Sequence, residues 1–194
     1  MIQRTVSSAI RVMGVDTSLR STGIGILDAA GSRMTPVWYG TVKNPPARPL
    51  SACLLHLQDE FAKLVETHHP EAIAIEGIFY AKNVKTMLIL SHARGAIIAQ
   101  CARLGLPVYE YEPRRVKMAV AGYGAAQKEQ IQKMVKTLLA LHEEPQNDAA
   151  DALALAITHL HNRTALSALA AEPNRDGASL TSASAARSYF LRYQ

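Results

Sequence analysis

Arg11-Val12-Met13-Gly14-Val15-Asp16 and Ala72-Ile73-Ala74-Ile75-Glu76 are short apolar runs that each end on a carboxylate. Runs of this length, flanked by turn residues, read as buried strands. An acid that closes a buried strand is poorly placed to be an ordinary surface charge. Ser21 to Leu27 reads as a second strand, reached through a tight turn at Thr17–Arg20, and Met34 to Val42 as a third. Short connections make these three an antiparallel meander. Pro45, Pro46 and Pro49 keep the following connector from being helical throughout. From Leu50 to His68, apolar Leu54, Leu57, Phe61 and Leu64 have the spacing of one helix face, and Pro70 stops the helix. The strand ending at Glu76 is therefore expected beside the first and parallel to it, across a helical crossover. That topology brings Asp16 and Glu76 side by side.

The remainder reads as a helix from Asn83 to Leu104 closed by Gly105, a short strand over 107–111, and a helix opened by Pro113. A loop at 122–125 precedes helices over 127–141 and 147–161, the last with Asn147 as its N-cap. The expected fold is α/β, a mixed five-stranded sheet (three antiparallel strands, then parallel strands) flanked by helices. Residues 1–10 read as an N-terminal extension, 11–162 as the folded domain and 163–194 as a weakly ordered tail rich in Ala and Ser.

With 48% hydrophobic residues in 194, the chain is long enough for one sizeable core. Its net charge of +5 favours a polyanionic partner. The charge is concentrated: residues 94–136 carry eight Lys and Arg against three Glu. Cys53 and Cys101 lack metal-site spacing and read as reduced core thiols. The seven histidines show no ligand spacing either, and His68-His69 reads as a helix-end pair. No apolar run approaches a membrane span and the N-terminus lacks a long apolar region, so a cytoplasmic protein without signal peptide is expected.

Asp148 and Asp151 add two more carboxylates, at i and i+3 on one helix face. Each acid has a structural reading. Acids in a first helical turn complement the dipole, and an acid just past a strand caps turns. Four of them converging is another matter. Hard divalent cations take oxygen ligands of this kind, and a pair of such ions holds both the attacking and the leaving oxygen of a phosphodiester. The residues alone lead to a two-metal phosphodiesterase acting on nucleic acid. Arg114, Arg115, Lys117 and Lys128 flank loops near the acids and read as phosphate contacts, whereas Lys133 and Lys136 read as a solvated helix face.

Longer segments around these acids carry a resemblance. They are Gly14-Val-Asp16 with Ser18-Leu-Arg-Ser-Thr-Gly-Ile-Gly25, Ile75-Glu76-Gly-Ile-Phe79-Tyr-Ala-Lys82-Asn83, and Arg94-Gly95. Tyr111-Glu-Pro-Arg-Arg-Val-Lys117, Gly122-Tyr-Gly-Ala-Ala-Gln-Lys128 and Pro145-Gln-Asn-Asp148-Ala-Ala-Asp151 complete the set. From about Arg11 to His161 the chain resembles the bacterial Holliday-junction resolvase family RuvC, within the RNase H-like nucleases. The resemblance implies an RNase H-like fold and a catalytic set of Asp16, Glu76, Asp148, Asp151 and Lys117. The four acids would hold two Mg²⁺ or Mn²⁺ ions per subunit, and cleavage would leave a 5′-phosphate and a 3′-hydroxyl. Phe79, Lys82, Asn83, Arg114, Arg115, Lys117 and Lys128 would contact DNA, Phe79 as a wedge against an unpaired base or else as a core aromatic. A four-way junction substrate, a homodimer, and work alongside the RuvA–RuvB branch-migration complex are implied in the same way, in recombination and DNA repair. Asp16-Thr17-Ser18 departs from the family's Asp-Pro-Gly, so side-chain to backbone bonds are expected to shape the bend. The competing readings are an RNase H-like nuclease for another nucleic acid and a non-catalytic junction-binding dimer. A sugar-kinase-like ATPase also begins with an acid after a strand, but its Gly-rich second phosphate loop is not evident.

Overall fold

The computed structural model describes residues 9–77 and 84–171. In chain order the elements are β1 (Ile10–Asp16), β2 (Ser21–Ala30), β3 (Arg33–Lys43), α1 (Leu50–His68), β4 (Ala72–Glu76) and α2 (Val84–Arg103). They continue with β5 (Val108–Tyr111), α3 (Pro113–Ala121), α4 (Lys128–Leu138) and α5 (Asn147–Ala171). The five strands form one sheet in the order β3-β2-β1-β4-β5. β1 pairs antiparallel with β2 and parallel with β4, with Val15 opposite Ile75. The crossover expected from the sequence is therefore the one observed, and Asp16 and Glu76 end neighbouring strands.

Strand alternation decides what lies on each face. Met13, Val15, Ile24, Ile26, Ile73 and Ile75 pack with Leu57 and Phe61 of α1 and Ile97 of α2. Val12, Leu27, Ala29, Ala72 and Ala74 pack on the other side, with α3, α4 and α5. By the same alternation Asp16 and Glu76 belong to the α5 side. That side is lined by small residues, and α5 lies almost on the sheet. A Cβ at Gly14 would overlap the Ala152 carbonyl oxygen, and one at Gly23 the Asp148 carbonyl. The helix answers with small residues of its own, Ala149, Ala150, Ala152, Ala154 and Ala156, all buried.

Some local expectations are corrected. Asn147 is the first helical residue of α5 rather than its cap, and the Ala150 N–H donates to the Gln146 carbonyl at 2.8 Å. α5 does not end at His161 but runs to Ala171, since an Ala-rich stretch has high intrinsic helix propensity. Positions 172–194 of the expected tail lie outside the described residues. α4 spans Lys128–Leu138 instead of 127–141, because Gln127 and Gln130 close a capping box at its start. The side-chain to backbone bonds expected at the bend after Asp16 are present, and Thr22 makes them. Buried Thr22 accepts the Ser18 N–H at 3.2 Å and donates to the Ser18 carbonyl, so the strand that follows closes the turn. His69 adopts the left-handed conformation (φ 49°) as the C-cap of α1, and its N–H donates to the Val65 carbonyl. Both cysteines are buried and free, and burial pushes the Cys101 thiol up to about 12. Among the described residues no helix is long and apolar enough to cross a membrane.

Candidate active site

Three chain ends meet on the α5 side of the sheet. β1 delivers Asp16, β4 delivers Glu76, and the first turn of α5 delivers Asp148 and Asp151. The close approach at Gly14 and Gly23 makes this meeting geometrically possible. Ser21, which alternation puts on the same face of β2, donates its hydroxyl to an Asp148 carboxylate oxygen. Lys128, the first residue of α4, pairs with Asp151 at 2.7 Å.

All four acids are half-buried, so desolvation is incomplete and solutes can reach them. Their electrostatics nevertheless show mutual proximity. Burial pushes the Asp16 carboxyl up to about 7, with Asp151, Glu76 and Asp148 adding repulsion and Lys128 opposing it. Glu76 is raised by burial and by Asp151, while Lys128, Arg94 and Lys117 draw it down. Lys128 is itself raised, first by its hydrogen bond to Asp151. Carboxylates that destabilise one another's charge are poor for stability and well suited to a cation.

The donor set fits a hard divalent ion, being wholly carboxylate oxygen. Among the described residues no three His, Cys, Asp or Glu side chains are close enough to grip an ion as they stand. Lys128 is the cation that Asp151 meets here.

Lys117 lies half-buried on α3, and its charge acts on Glu76. Arg114 and Arg115 are exposed at the start of α3. Phe79, Lys82 and Asn83 lie outside the described residues.

The model of the family "Crossover junction endodeoxyribonuclease RuvC" matches residues 12–159. The chain belongs to the RuvC family. A RuvC from Pelotomaculum thermopropionicum is 46% identical over 154 residues, covering 79% of this chain and 94% of that protein. One from Brevibacillus brevis is 42% identical over 159 residues, covering 81% and 96%. The solved Thermus thermophilus RuvC in complex with Holliday junction substrate superposes with a TM-score of 0.76 at 30% identity, over 80% of this chain and 96% of that one. The RuvC match begins at Val12 and ends at His159, so it encloses all four acids.

Two residues beside the site escaped the sequence reading of roles. Ser21 anchors Asp148, and strand parity alone pointed to it. Arg94 is nearly buried, donates to the Glu76 carbonyl at 2.9 Å and pairs with Glu110 at 2.6 Å. A buried guanidinium needs such partners, and an Arg inside an otherwise mixed helix face was the available signal.

Proposed function

We propose that Asp16, Glu76, Asp148 and Asp151 form the cleavage centre of a Holliday-junction resolvase and hold Mg²⁺ there. As a RuvC-family member the chain is a structure-selective endonuclease for four-way DNA junctions. The observation that carries the residue assignment is the gathering of four half-buried carboxylates at two strand ends and one helix start, with Asp16 pushed up by burial and by its three acidic neighbours.

In that reading the four acids would hold two Mg²⁺ per subunit, which when bound would supply Lewis-acid polarisation of the scissile phosphate and neutralise the charge that develops on it. Ser21 fixes one oxygen of Asp148, so that carboxylate is oriented before substrate arrives. Lys117 and Lys128 bind the phosphates of the strand being cut, Lys128 exchanging Asp151 for DNA. Arg114 and Arg115 extend the positive track along α3. Phe79, Lys82 and Asn83 complete the DNA contact, Phe79 by stacking at the crossover.

A homodimer supports paired cuts in two strands. Val84 and Leu88, one turn apart on α2, are 63% and 54% exposed and offer an apolar strip for a second copy. Cooperation with a RuvA–RuvB complex and a cytoplasmic location accompany this reading.

The test is cleavage of a labelled synthetic four-way junction, with duplex DNA as control, in Mg²⁺ and in EDTA. Paired Mg²⁺-dependent nicks near the crossover, absent in Asp16→Asn, bear the reading out. Cleavage that persists in Asp16→Asn overturns the residue assignment, and equal cleavage of duplex overturns junction selectivity.

A further inference from the structure

The exposed surface of α3 and the loop after it carries apolar groups that the fold does not use. Val116 and Val120 are the buried side of α3. Arg114, Lys117 and Met118 stand at i, i+3 and i+4 and so share another face. Met118 is 51% exposed and Tyr123, just past the helix, is 64% exposed. The loop is built rather than loose. Gly122 caps α3 in the left-handed conformation (φ 71°), and the Ala126 N–H returns to the Tyr123 carbonyl at 3.1 Å. At Gly124 a Cβ would lie 2.9 Å from Arg114 Cγ and 3.4 Å from Met118 Cγ. Arg114 and Met118 therefore fold over the glycine next to Tyr123.

We propose that Tyr123, next to the glycine over which Arg114 and Met118 fold, is a base-stacking residue that contacts the cleaved strand beside the scissile phosphate and sets its local sequence preference. This rests on the resolvase reading of the neighbouring acids.

Charge complementarity selects DNA as the occupant. The strip is bounded by cations, and the loop joins two elements whose lysines both reach the acid cluster. Lys117 acts on Glu76 from α3, and Lys128 pairs with Asp151 at the start of α4. A strand following the lysines passes the loop between them. A tyrosine ring offers every base a π-face, and an exposed thioether adapts to what lies on it.

The experiment uses four-way junctions carrying 2-aminopurine on either side of the crossover, titrated in EDTA, followed by single-turnover cleavage in Mg²⁺. Wild type and Tyr123→Phe are expected to change the probe's fluorescence on binding. Tyr123→Ala is expected to lose that change, to bind about tenfold more weakly, and to cut with less discrimination among junction sequences. Its salt dependence is expected to stay that of wild type, since no phosphate contact is removed, whereas Arg114→Gln flattens it. Equal melting midpoints for all variants keep the comparison one of contact rather than folding, and Met118→Ala, expected to weaken the same signal, provides a second variant. If wild type cuts normally and Tyr123→Ala matches it in fluorescence, affinity and cut sites, the inference is overturned and the strip is left to a protein partner. A wild type that neither binds nor cuts the junction overturns the resolvase site as well.

Discussion

The sheet has a thick face and a thin one. Against α1 and α2 it presents Met13, Val15, Ile24, Ile26, Ile73 and Ile75, which meet Leu57, Phe61 and Ile97 with no exposed surface. Against α5 it presents Gly14, Gly23 and Gly25, where the helix comes within overlap of any added Cβ. Large side chains hold a helix off and seal the interior, each fully buried one stabilising the fold by about 1.5–3 kcal/mol. Small ones stabilise less but let a backbone close in, and here the close backbone carries Asp148 and Asp151 toward Asp16 and Glu76. One face is built for stability and the other for proximity.

The largest expected effect belongs to the thin face. Asp16→Asn should lower junction cleavage on the order of 10²–10³-fold while junction binding persists, as when one preorganised group is removed from a transition state. The same change should alter stability in the absence of divalent cation. The Asp16 carboxyl lies at about 7, above its ordinary 3.8. Its contribution to stability is complete below the ordinary value and is lost as pH rises through about 7. Thermal melting of the wild type should therefore fall between pH 5 and pH 8, and Asp16→Asn should flatten that fall. An unchanged slope would mean that burial and the neighbouring acids do not raise the Asp16 carboxyl as described.

Next come the two packing tests. Ile73→Ala, on the thick face, should cost about 2–5 kcal/mol in denaturant melts, leaving cleavage per folded molecule intact. Gly23→Ala, on the thin face, should cost about 1–3 kcal/mol by overpacking, and cleavage should drop even in the molecules that fold, because α5 must shift. If both variants lose stability and activity in the same proportion, the division of labour between the faces fails.

The smallest effect lies at the opposite end of β1. Arg11 grips Asp28 through both oxygens, at 2.7 and 2.8 Å, and also reaches the His68 carbonyl at 2.6 Å. The hydrogen bond from Arg11 holds the Asp28 carboxyl below its ordinary range. Its contribution is present above that range and is lost as pH falls through the lowered value. Both groups are partly exposed, so Asp28→Asn should cost at most about 1 kcal/mol near neutral pH, less in high salt, with cleavage unaffected.

Much of this was legible in the residues. Apolar runs ending on acids marked β1 and β4, Pro70 and Pro113 marked a helix end and a helix start, and a helical crossover between parallel strands put the acids together. Strand parity even assigns Asp16, Glu76 and Ser21 to one face. Other features were not legible because they depend on what lies across the fold. Side-chain to backbone bonds were expected at the bend after Asp16, but that Thr22 on the returning strand makes them was not legible. Lys128 read as a phosphate contact, and only the approach of α4 to α5 shows its ammonium on Asp151. Asn147 had the chemistry of a cap, but the start of α5 is set one residue earlier by Gln146.

By itself the sequence determined the order of the elements, the two-faced strands and the identity of the acids, because periodicity and turn chemistry act over a few residues. The tertiary structure decided how near those acids come and which cation meets them. Nearness is fixed by side-chain volume where a helix crosses a sheet, and volume counts only once both partners are in place.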